Sequence, residues 1–351
     1  MHSELLIPTN CTFSSLGKIC YYLELYKREE RGALRTLMST IYQIGIILLS
    51  VFLSLVLYQK LATMIDDYRY PPPGKLVDIG GYKLHLNTSA QGNIAVICDA
   101  GLSGTSLGWS LVQTEASKFA RVCSYDRAGY SWSDPSPLER TSTNIAKELY
   151  TLLKKADIPG PYILVGHSFG GANMLLFADL YPQETLGVIL VDSVHEDMLQ
   201  EMPSPPHDFF NHPKVQWFLS FIGYKRLKGP SEEIKAMFYP LPTEVQAAYI
   251  AQMSKTQYTE TVNQEMDGLN ESLSQLSEKK IRLQGPLTVI TAGIISSGEE
   301  GRKWKQFQKR LLSKSETSKQ IVAENSDHMI NHHQPEIIVD AIREMVNNHS
   351  F

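Results

Sequence analysis

The chain has 351 residues, of which 43% are hydrophobic and 20% charged, a globular composition that excludes a disordered polymer. Its net charge of -4 and pI near 6.2 leave no basic footprint, which sets nucleic-acid binding aside. The cysteines Cys11, Cys20, Cys98 and Cys123 form no CxxC pair and no metal spacing, and Cys98 and Cys123 fall in apolar runs as small buried hydrophobes.

Residues 1–36 are mixed and aromatic and carry Lys18, Lys27, Arg28, Arg31 and Arg35. The next stretch, Leu37 to Tyr58, contains no charge and is as long as the roughly 20 residues that a helix needs to cross a bilayer. Its hydroxyl side chains can bond back to the preceding turn, and Tyr42 and Tyr58 lie near its ends, where amphipathic rings favour the interface. It is longer than a signal-peptide core and is followed by no small-residue cleavage site, so the reading is an uncleaved transmembrane helix. Lys60 and Arg69 follow it closely, fewer than the basic residues before it. The bias predicts a cytoplasmic N-terminus and a large domain on the extracytoplasmic side. Residues 59–74, ending in Tyr70-Pro71-Pro72-Pro73-Gly74, read as a stiff linker.

From Lys75 the pattern turns to strands and then to alternating strands and helices. Lys75–Ile79 and Tyr82–Asn87 flank Gly80-Gly81, a hairpin signal. Ile94–Asp99, Arg121–Tyr125, Tyr162–Val165, Leu186–Val191, Pro286–Thr291 and Gln320–Ala323 are short apolar runs of the kind found in buried parallel strands. Helical spacing appears at Thr141–Ala156, Ala172–Tyr181, Lys303–Leu312 and Gln334–Val346. Between about residues 195 and 283 the alternation is interrupted by a stretch rich in Met, Phe, Tyr and Gln, opened by Pro203, Pro205 and Pro206. The expected fold is a mainly parallel α/β sheet over residues 75–351, covered by helices on both faces. The interruption is expected to be a helical lid over the strand C-termini.

Gly166-His167-Ser168-Phe169-Gly170 fits GxSxG and stands between the strand Tyr162–Val165 and the helix from Ala172. That placement makes a sharp strand-to-helix turn, which projects the Ser168 hydroxyl from the sheet beside a helix N-terminus. A glycine-rich turn can match by chance; one in this context predicts a nucleophile. The segment CSYDRAGYSWSDPSPLERTSTNIAKELYTLLKKADIPGPYILVGHSFGG, with LVDSVHED and SDHMINHHQPE further on, resembles the α/β-hydrolase superfamily, specifically its fold-1 group. The resemblance covers about Lys75 to the C-terminus, is weakest in the lid and implies a hydrolytic enzyme.

Acyl transfer builds negative charge on a carbonyl oxygen, which aimed backbone N–H groups stabilise. One donor is expected from Phe169, the residue after the nucleophile, and the resemblance assigns the second to Leu102, on the loop after the third strand. The family usually has His-Gly where this chain has Ala100-Gly101. Of the tail histidines, the resemblance selects His328 as the base, whereas His332 and His333 read as solvated loop residues. Asp327, where the family has glycine, is a neighbour able to raise the imidazole pKa.

The acid is left open by the residues. Most family members carry it after the seventh strand, where this chain has Ile294-Ile295-Ser296, with Glu299 and Glu300 beyond. Some relatives place it after the sixth strand, where Asp192 stands, although a non-catalytic Asp is also common there. Asp126-Arg127 and Ser131–Asp134 match a family loop that usually braces the active-site floor. Lid aromatics such as Phe209, Phe210, Trp217, Phe218 and Phe221 are more often packing than substrate-binding.

The expectation is a membrane-anchored serine hydrolase acting on a small or lipid-like ester, with Ser168, His328 and Asp192 as triad. Such chemistry requires no metal or organic cofactor. An aminopeptidase of the proline-iminopeptidase type would need lid carboxylates to hold a substrate amine, and Glu232, Glu233, Glu260 and Glu265 are available. A catalytically silent, membrane-tethered binding module is the reading from another class. Relatives that open epoxides or remove halides carry Asp where this chain has Ser168.

Overall fold

The computed structural model describes residues 15–89, 92–202, 212–295 and 297–349. The chain forms two units, Met1–Leu57 and Tyr58–Phe351. Helix α1, Ser15–Arg69, begins in the first and ends in the second. In the first unit, Thr36, Thr40 and Ser54 hydroxyls donate to carbonyls four residues back, so these three are satisfied within the helix. None of the side chains in its apolar window is buried inside the molecule, which makes it a candidate membrane span by length and composition.

In the second unit the segment read as linker is helical through Arg69, because it has partners. Gln59 donates to the Ser254 carbonyl at 2.8 Å, Asp67 pairs with Lys255 at 2.6 Å, and Asp66 pairs with Arg226. The first proline, Pro71, stands just beyond the helix end.

Strands β1, Lys75–Asp78, and β2, Lys83–Ser89, form the expected hairpin. Asp78 Oδ1 accepts from Gly80 and Gly81 N–H at 2.8 and 2.9 Å, and both glycines have φ above +100°, where a side chain would be strained. Then follow β3 (Ala95–Asp99), α2 (Ser110–Ala116), β4 (Arg121–Tyr125), α3 (Ser142–Lys155), β5 (Tyr162–His167), α4 (Phe169–Leu180) and β6 (Thr185–Val191). Among the described residues of 198–279 the regular elements are all helices: α5 (Met198–Glu201), α6 (Pro213–Phe221), α7 (Tyr224–Lys228), α8 (Glu232–Phe238), α9 (Thr243–Met253) and α10 (Thr256–Lys279). The alternation resumes with β7 (Leu287–Ala292), α11 (Glu299–Leu311), β8 (Ser318–Ala323), α12 (Ile330–His333) and α13 (Pro335–Asn347). Pro203, Pro205, Pro206, Phe209, Phe210 and Ser296 lie outside the described residues.

The eight strands make one sheet in the order β1-β2-β4-β3-β5-β6-β7-β8, antiparallel only at the β1–β2 and β2–β4 pairs. The strands at its centre are buried on both faces, which is why they read as continuous apolar runs. One face packs on α3 and α4 through residues such as Ile145, Leu149, Leu152 and Phe177; the other carries α2 and α13 through Val112, Ile338 and Ile342. Cys98 and Cys123 are buried free thiols, pushed upward in pKa by burial. This is the mainly parallel α/β sheet with helices on both faces that the sequence predicts. Two elements outside the insertion were missed, α2 and α12, each too short to show a period.

Candidate active site

The parallel strands direct four loops to one end of the sheet, where ligands bind in such folds. Ser168 follows β5 at the centre, with φ +51° and ψ -120°, a sparsely populated backbone conformation. The glycines around it are required by contact. A Cβ at Gly166 would lie 2.6 Å from the Gly170 carbonyl, and one at Gly170 would lie 2.4 Å from the Asp99 carbonyl. Phe169 opens α4, so its N–H has no intrahelical acceptor. Leu102 stands on the loop after β3, and Gly101 is packed so closely that a Cβ would sit 3.0 Å from Ser168 Cβ.

His328 follows β8, and its Nδ1 lies 2.7 Å from Asp192 Oδ2. Asp192 is buried at the end of β6 with φ +43°. Its other oxygen accepts from the Ala292 N–H at 3.1 Å and the Trp304 indole at 3.0 Å, so β7 and α11 hold the carboxylate toward the imidazole. Of the carboxylates left open above, Asp192 is the one on His328. Glu299 is exposed and pairs with Lys303 at 3.0 Å, and Glu300 is exposed too. Asp327 accepts from Met329 N–H at 2.9 Å and lies 2.7 Å from His333 Nδ1.

Ser168, His328 and Leu102 border one cavity of about 350 Å³, within the usual range for small-molecule sites. Its apolar wall comes largely from the helical insertion, through Ile234, Met237, Phe238, Tyr249, Met253 and Tyr258. Nothing in the sequence separated these from other lid residues, since which faces of α8, α9 and α10 line the cavity depends on how the insertion lies on the sheet. Trp217 and Phe221 stack on each other at 5.1 Å and do not border this cavity, nor does Phe218. Trp304 was not identified either, because one indole on an amphipathic helix looks like core.

One expectation is corrected. His332 is not a solvated loop residue: it is 2% exposed in α12, borders the cavity, and its Nδ1 donates to the Met237 carbonyl at 2.9 Å. Burial pushes its pKa down to about 4, and burial together with nearby His328 holds His167 well below the ordinary histidine value. A histidine held neutral in the fold takes up a proton on unfolding. Stability should therefore fall as pH drops from about 6.5 toward 4. The His332 gap corresponds to roughly 3 kcal/mol at about 1.4 kcal/mol per pKa unit. Denaturant unfolding between pH 7 and 4 should show a flatter pH dependence in His332→Gln than in the parent chain; equal slopes would refute the assignment.

The family model described as "Alpha/beta hydrolase family" matches residues 96–341. Among curated proteins, YqjL of Bacillus subtilis (strain 168) is 26% identical over 275 residues, covering 76% of this chain and 90% of that protein. A vacuolar membrane protein of Saccharomyces cerevisiae is 37% identical over 83 residues, 23% of this chain and 13% of that protein. Among solved structures, a thermophilic esterase from Thermogutta terrifontis superposes with a TM-score of 0.57 at 21% identity, covering 76% of this chain and 94% of that one. The fold, the strand-to-helix turn at Ser168 and the extent of the match lead to one conclusion: the chain belongs to the α/β hydrolase family.

Proposed function

We propose that this protein is a membrane-anchored serine hydrolase that cleaves a small or lipid-like carboxylic ester. The observation that carries the reading is the joint placement of Ser168 and His328 on one cavity, with a buried carboxylate 2.7 Å behind the imidazole. In this reading His328 Nε2 takes the Ser168 hydroxyl proton as the oxygen bonds to the substrate carbonyl carbon. The Leu102 and Phe169 N–H groups hold the oxyanion. The proton then passes to the departing alcohol as the ester C–O bond breaks, and water releases the acyl group by the same route. Asp192 keeps the imidazole tautomer that can accept at Nε2. The apolar wall of the cavity suits an acyl or alkyl chain.

The aminopeptidase reading is weakened by where its carboxylates fall. Glu232, Glu233 and Glu260 are exposed, Glu265 is bonded to Arg127, and none of the four borders the cavity. The silent-module reading predicts no covalent labelling. Reaction with a fluorophosphonate probe, followed by a screen of p-nitrophenyl esters against aminoacyl amides, separates the three: labelling with ester turnover is expected. Labelling with amide turnover favours the peptidase, and a lack of labelling sinks the hydrolase mechanism.

Residues 37–58 act as the transmembrane span in this reading, with residues 1–36 cytoplasmic and the hydrolase domain outside. The full chain should resist carbonate extraction from membranes, whereas a chain beginning at Tyr58 should remain in solution. Starting instead at Pro71 should lower the thermal midpoint, because Ser254, Arg226 and Lys255 lose their partners on α1. Full-length protein in the soluble fraction would end the anchor assignment. Proteolysis of the domain only from the cytoplasmic side would reverse the orientation.

A further inference from the structure

Arg127 is buried under the loop that follows β3, and all five of its N–H donors are used. Nε and Nη2 donate to the two carboxylate oxygens of Glu265 at 2.6 and 2.9 Å. Nη1 donates to Asp99 Oδ1 at 2.7 Å and to the Ala100 carbonyl at 2.6 Å, and Nη2 donates to the Gly101 carbonyl at 2.8 Å. Burial opposes the charge on Arg127, but Glu265 and Asp99 outweigh it and keep the guanidinium protonated.

The bond to Gly101 has a directional consequence. The Gly101–Leu102 peptide is trans, so the Gly101 C=O and the Leu102 N–H point in opposite directions across one rigid plane. Tying the carbonyl down to the buried guanidinium turns the N–H away from it. That N–H is the second oxyanion donor of the reading above. Side chains of the helical insertion tie down the same loop. Glu265 lies on α10, Tyr258 of α10 donates to the Ser103 carbonyl at 2.7 Å, and Tyr249 of α9 accepts from the Thr105 N–H at 3.1 Å. Tyr130 completes the network, accepting from Ser103 N–H at 3.3 Å and donating to Glu265 at 2.8 Å. Where the family usually has a histidine, this chain has Ala100, which offers no side-chain bond to organise the loop.

We propose that Arg127, held by Glu265 of the insertion, is a positioning residue that sets the direction of the Leu102 N–H and so makes the oxyanion hole depend on the seating of the insertion. The proposal rests on the serine-hydrolase reading. It differs from a purely structural role, in which the ion network only docks the insertion: a misdirected donor weakens transition-state binding and leaves ground-state binding in place.

The test compares the parent chain with Arg127→Lys, Glu265→Gln, Tyr258→Phe and Glu148→Gln. Lysine keeps the charge, but its three donors at one nitrogen cannot replace five that reach two carbonyls and two carboxylates. Glutamine keeps the shape of Glu265 but turns donors toward a guanidinium. Glu148 serves as comparison because its pair with Arg140, at 2.8 Å, is equally buried and neither residue borders the cavity. Turnover of p-nitrophenyl butyrate, the second-order rate of fluorophosphonate labelling and the thermal midpoint are measured for each.

Arg127→Lys and Glu265→Gln should lower kcat and the labelling rate by about 10- to 100-fold with KM within about threefold, less than deletion of a donor outright. Glu148→Gln should lower the midpoint and leave kcat in place. Equal kcat in parent, Arg127→Lys and Glu265→Gln, or a kcat loss in Glu148→Gln that tracks its midpoint, overturns the proposal. Tyr258→Phe removes a single hydroxyl bond and keeps the question answerable if the other variants do not fold. Slower labelling, by roughly 3- to 10-fold, supports the coupling, and an unchanged rate counts against it. A parent chain that is never labelled refutes the serine-hydrolase reading and the clamp together, whereas a labelled parent matched by its clamp variants removes the clamp alone.

Discussion

Replacing Ser168 by alanine is expected to abolish fluorophosphonate labelling and to lower ester turnover by on the order of 10⁶ in kcat, the loss seen when a triad nucleophile is removed. The substitution deletes one hydroxyl and keeps the Cβ. The strain of a φ of +51° is thus the same in both chains, and the thermal midpoint should not move. Ser168 is half-buried and borders the cavity, so no packed contact is lost. Labelling that persists in Ser168→Ala would place the nucleophile elsewhere. A chain that labels less only because it has unfolded would show the change in its midpoint.

Asp192→Asn carries the second largest effect, a loss on the order of 10⁴ in turnover. The amide oxygen of asparagine can still accept from Ala292 N–H and the Trp304 indole, as Asp192 Oδ1 does at 3.1 and 3.0 Å. Its NH₂ would then face His328 Nδ1. A donor there selects the tautomer with the proton on Nε2, which cannot accept the serine proton. Asparagine also tolerates a positive φ better than most residues, so the +43° backbone should hold and the fold with it. Glu299→Gln and Glu300→Gln should leave turnover near the parent value, since both residues are exposed. If the two glutamate variants lose activity and Asp192→Asn does not, the acid has been misassigned, while Ser168 and His328 stand.

Trp304 sharpens the same point. Its indole aims one oxygen of Asp192 at 3.0 Å and its ring lies edge-on to His328 at 5.8 Å. The carboxylate is therefore positioned by a neighbouring strand and a helix more than a hundred residues along the chain. The apolar wall of the cavity is assembled in the same way, from α8, α9 and α10, whose inward faces depend on how the insertion lies on the sheet.

The strands, the elbow and the apolar span were legible in the sequence because each is a local pattern. A strand buried on both faces must be apolar throughout. A strand-to-helix turn this tight excludes Cβ atoms at Gly166 and Gly170, where they would meet backbone at 2.6 and 2.4 Å. A helix long and apolar enough to cross a bilayer shows as an unbroken apolar run. Those constraints act on consecutive residues, so the residues record them.

Three other features record nothing locally. The residues alone favoured Asp192 as the acid while leaving Glu299 and Glu300 open, and the structure places only Asp192 of the three against His328, at 2.7 Å. Asp192 follows β6 and His328 follows β8, two strands away with β7 between them, so the pair meets only through the fold. Glu265, offered by sequence as a hand for a substrate amine, is instead consumed by Arg127, 138 positions away. His332, expected as a solvated loop residue, is buried in α12, and Met237 of the insertion supplies the carbonyl for its ring. In each case the deciding partner is distant in the chain, and a buried polar group takes whichever partner the fold brings to it, since leaving it unpaired costs more than any local preference.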